Sequence, residues 1–147
     1  MTTSFLQEIS DASQLELDAY LETMAIMMTC DGSHDDRELE QFLRIGGDLV
    51  RTYPSPDAVD LKAKWQDFAE RLKTESAGRR IDSIASILQS RAKRMTALFF
   101  AMKLSTADLR LVLSEREMLH KMQGHFKLTD DDYAEVTAVY RESVRQR

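Results

Sequence analysis

From Leu15 to Val144 the apolar residues recur three and four positions apart, and no stretch alternates with period two long enough to line one face of a sheet. That spacing commits the chain to helices. Leu15, Leu17, Tyr20, Leu21, Met24, Ile26, Met27 and Met28 form one wide apolar face, which should end near Cys30, where Asp31-Gly32 breaks the pattern. Phe42, Leu43, Ile45, Leu49 and Val50 form a second, closed by Pro54 and Pro56, because proline disfavours helix in the residue before it. A third is expected from about Asp57 to Thr74 through Val59, Leu61, Trp65, Phe68 and Leu72, with an interruption at Gly78. Ile81, Ile84, Ile87 and Leu88 mark a fourth. The run Met95, Ala97, Leu98, Phe99, Phe100, Ala101, Met102, Leu104 is apolar on nearly all sides, as a helix at the centre of a bundle is. A sixth is expected over Glu115 to Phe126, weakened at its end by Gly124. "KLTDDD" starts the last, with Tyr133, Val136, Val139, Tyr140 and Val144.

The expected architecture is therefore all-α, a bundle of about seven helices. At 147 residues the chain fits one domain with a real core, residues 1–12 being expected to form a less ordered N-terminal extension. With 43% apolar and 31% charged residues it is globular, and five glycines and two prolines favour helix over a turn-rich sheet fold. The methionines on the apolar faces read as core filling, and Trp65 as a core anchor. A net charge of -5 argues against nucleic acid as a partner, since phosphate contacts need a basic face. Arg79-Arg80 and "RAKR" at Arg91 to Arg94 read as solvated helix faces. One cysteine excludes an internal disulfide and a Cys-rich zinc site. No leader pattern is visible, and "MTALFFAM" falls far short of the roughly twenty residues that span a bilayer. A soluble, cytoplasmic chain without membrane insertion is the expectation.

The acids carry the rest of the reading. "CDGSHDDRELEQFLRIGG" and "ADLRLVLSEREMLHKMQG" share an order: a helix ending in a small residue and Asp, a short connector, then a helix with a capping residue and Glu three places later. The second connector is two residues longer. Asp35-x-x-Glu38, Ser114-x-x-Glu117 and Thr129-x-x-Asp132 match capping boxes, each worth about 1 kcal/mol without any further function. Capping leaves Asp31 and Asp108 unexplained, for each sits where a helix ends and the dipole disfavours a carboxylate. A cation reverses that sign. If the two corners face each other, Asp31, Glu38, Asp108 and Glu117 converge as hard oxygen donors suited to Ca²⁺, Mg²⁺ or Mn²⁺.

Other chemistries fit less well. "DGSHDDRELEQF" lacks the glycine and the final glutamate of an EF-hand loop. Cys30 and His34 straddle a glycine-containing break, and His120 and His125 do not share a helix face, so zinc is poorly served. No phosphate loop, nucleophile motif or HExxH signature appears, so neither catalytic residues nor an organic cofactor are expected.

"MTCDGSHDDRELEQFLRI" resembles the helix-loop-helix of TerB-like tellurite-resistance proteins, and "ADLRLVLSEREMLHKMQGHFKLTDDDYAEV" is similar to its second copy with the helix that follows. The likeness runs from about Leu15 to Val144. It implies a domain of about seven helices with two pseudo-symmetric repeats, and a shared site for a divalent metal at Asp31, Glu38, Asp108 and Glu117. It also implies a stress-response role without catalysis, with protein partners in a membrane-associated complex; a co-chaperone-like adaptor, independent of metal, is the alternative. Cys30 departs from the family's usual alanine and Leu109 from its glycine.

Overall fold

The computed structural model describes Phe5 and residues 11–29, 36–51, 59–105 and 113–145. Seven helices run through them: α1 (Gln14–Met28), α2 (Asp36–Val50), α3 (Leu61–Thr74), α4 (Ala77–Ile87), α5 (Arg91–Ser105), α6 (Leu113–His125) and α7 (Asp130–Arg145). There is no strand among the described residues. The long apolar faces of α1 and α5 pack on each other and form the centre. α2 and α3 lie against α1 and each other, α6 and α7 lie against α5, and α4 bridges α1 and α6.

α5 is as central as its composition requires, with Met95, Ala97, Leu98, Ala101 and Leu104 buried. α1 is more enclosed than its apolar face implies: from Leu17 to Met27 every residue except Asp18 is buried, including Glu22 and Thr23. Thr23 satisfies its hydroxyl by donating to the Ala19 carbonyl at 2.8 Å. Leu15, assigned to the apolar face, is instead 64% exposed. Met24, Met27, Met95, Met102 and Met122 are buried, as core filling requires, and Trp65 packs on Phe42 with ring centroids 5.1 Å apart.

Short polar residues fix the helix ends. Ser13 accepts from the Glu16 N–H at 3.1 Å while Glu16 accepts from the Ser13 N–H at 3.0 Å, a reciprocal box that opens α1. Asp60 caps α3, accepting from the Ala63 N–H. The expected start at Asp57 lies outside the described residues. Ser76 caps α4 by accepting from the Arg79 N–H, so the break falls at Glu75 and Ser76 instead of Gly78, which is buried in the first turn. The Thr129–Asp132 box forms as expected, both bonds being 3.0 Å. Ser114 is not a cap, because α6 has already begun at Leu113.

At the end of α6 the chain turns through Lys127 in the left-handed region, φ 59°. The Leu128 and Lys127 N–H groups donate back to the Gln123 and Gly124 carbonyls, the pattern that normally recruits glycine. Gly124 itself remains inside the helix.

The basic clusters are structural fasteners. Arg91 pairs with Asp132, and Lys93 with Glu16. Arg94 donates to the carbonyls of Leu88, Ala85 and Phe126 at 2.7, 2.8 and 3.0 Å, tying the end of α4 to the turn after α6. Arg80 grips the buried Glu22 with two bonds, 2.6 and 2.9 Å, while Arg71 adds one at 3.2 Å and Glu75 receives the other side of the Arg80 fork. These arginines neutralise a carboxylate that burial would otherwise make costly. No helix among the described residues is long and apolar enough to cross a membrane.

Candidate acidic site

Asp31 and Asp108 lie outside the described residues, as do Cys30, His34 and Asp35. The structure therefore speaks to the helical half of each corner.

Glu38 is the third residue of α2, in the turn where free N–H groups favour a carboxylate. It is half-buried, and its Oε2 is shielded from solvent. Its direction follows from helix phase. Four residues on stands Phe42, fully buried between the rings of Trp65 and Phe68. A residue four positions before a core residue lies on the same face. Gly46, one turn further, also faces α1 and α3: a Cβ there would make ordinary contact with Leu21 at 3.5 Å and Leu61 at 3.6 Å. Glu38 thus lies on the inward side of α2.

Glu117 occupies a different setting. It is the fifth residue of α6 and is exposed. The core face of α6 is marked by Leu119 and Met122, 2% and 0% exposed. Counting back four from Leu119 reaches Glu115, which is half-buried in the first turn. In helical phase, Glu115 corresponds to Glu38, and Glu117 is two residues round the helix from it. Counting from Asp108 through a connector of unequal length could not reveal this; the signal that could is the Leu119–Met122–Phe126 spacing, which matches Phe42–Ile45–Leu49.

Several other described acids hold helices together. The Lys93 ammonium, with the Ser13 N–H, holds the Glu16 carboxyl below its ordinary range. The Arg91 guanidinium does the same for Asp132, helped by Thr129. Glu22 belongs to Arg80 and Arg71. The histidines diverge: His120 stacks on Tyr133 with ring centroids 5.0 Å apart, whereas His125 faces α4 and meets Asp82 at 2.7 Å. No three His, Cys, Asp or Glu side chains among the described residues gather closely enough to hold a metal. A dimple lined by Ala25, Thr29, Trp65, Ala69 and Leu72 is apolar and too narrow to admit water.

No family model matches the chain, and neither the curated proteins nor the solved structures yield a match.

Proposed function

We propose that this chain is a non-enzymatic, divalent-metal-binding domain of the TerB-like, tellurite-resistance and stress-response type. It acts in the cytoplasm by docking protein partners of a membrane-associated complex. The observation that carries the reading is Glu38, a carboxylate with one oxygen withdrawn from water at the start of α2, directly after an acid-rich connector. The donor chemistry fits a hard cation: Asp31, Glu38, Asp108 and Glu117 offer only oxygen. Glu115 competes with Glu117 for the second repeat's place, since it shares the phase of Glu38.

Helix packing supports the two-repeat view. If α1, α2 and α3 correspond to α5, α6 and α7, then α1 on α5 is the self-paired contact. On that correspondence α1–α2 matches α5–α6, α1–α3 matches α5–α7 and α2–α5 matches α1–α6, whereas the packing of α2 on α3 has no counterpart of like extent between α6 and α7. A bound cation would neutralise carboxylates that follow α1 and α5 in the sequence, stiffening both corners together.

Calorimetric titration with Ca²⁺, Mg²⁺ and Mn²⁺ tests the site. Wild type releases or absorbs heat with at least one cation, and Asp31→Asn/Asp108→Asn does not; equal heats from the two proteins refute the site. Glu115→Gln and Glu117→Gln, run in parallel, identify which of the two is the ligand.

A metal-independent adaptor is the second reading. Leu113, 69% exposed at the start of α6, is the side chain on which to test it. Partners recovered from cytosol equally well with and without chelator select this reading, and loss of Leu113→Ser from the same complex locates the contact.

A further inference from the structure

We draw no further inference here: the strongest candidate, the basic corner at the start of α4 where the side chains of Lys121 and His125 close over Gly78, is a helix N-terminus whose imidazole already meets Asp82, and nothing in the structure points to a ligand beside it.

Discussion

Glu22 and Glu38 are the same residue drawn into the same bundle, yet their surroundings differ in kind. Glu22 sits in the middle of α1 at 3% exposure, with Arg80 and Arg71 closing on it from α4 and α3. Its charge is answered from within the fold. Glu38 sits at the start of α2, and its sequence neighbours Asp31, Asp35, Asp36 and Glu40 are acids. The contrast separates two uses of a carboxylate. One joins helices through named arginines; the other, on the function proposed above, would share a cation with the acids beside it in the sequence.

The sharpest way to break that contrast is to remove the charge of Glu22. Glu22→Gln leaves Arg80, half-buried and still bonded to Glu75, beside a neutral amide and should cost about 3 kcal/mol in urea unfolding. A loss below about 1 kcal/mol would mean the arginines rearrange freely into water, and the distinction between the two glutamates would fade.

Acidification tests whether other paired carboxylates behave as Glu22 does. Asp132 and Glu16 have folded values held below their ordinary 3.8 and 4.5. Such groups add stability above the unfolded value, and that stability disappears as the pH falls through the folded one. The urea midpoint should therefore be flat near neutrality and drop below about pH 4.5. In Asp132→Asn the drop should be shallower; an unchanged slope would show that the Arg91 pair contributes nothing.

At Glu38 the expectation reverses. Glu38→Gln should change metal-free stability by about 1 kcal/mol or less, while abolishing the stabilisation that added Ca²⁺, Mg²⁺ or Mn²⁺ confers on the wild type in thermal unfolding. A large metal-free loss with metal response intact would move Glu38 into the structural class.

The smallest effect lies on the same helix. Gly47 has open space where a Cβ would go, so Gly47→Ala should raise stability by about 0.5–1 kcal/mol through helix propensity. At Gly78, where a Cβ would come within 3.1 Å of the His125 ring, the same change should lower it. Parallel denaturation curves of the two variants decide this.

Much of the fold is legible in the spacing of apolar residues. Seven helices follow from it because each buries one or more faces, and the Thr129–Asp132 box announces the start of α7 locally. What spacing does not carry is the identity of distant partners. Glu22 draws no notice in the sequence because its answering guanidinium lies 58 residues away on α4. "RAKR" reads as a solvated face for the same reason: Asp132 and Glu16 come to it only through the packing of α7 and α1. Of the candidate site, motif counting places Glu38 in the first turn of α2, where it lies, and reaches Glu117 from Asp108, whereas Glu115 holds the position in α6 that Glu38 holds in α2. Asp31 and Asp108 lie outside the described residues.

Arg94 has one consequence for how the molecule yields under stress. A single flat cation serves three main-chain oxygens drawn from two separate strands of connectivity, one closing α4 and one leaving α6. Each oxygen takes its own N–H, so loss of the Arg94 side chain would release both ends at once. The end of α4 and the turn after α6 are thereby joined through one side chain of α5.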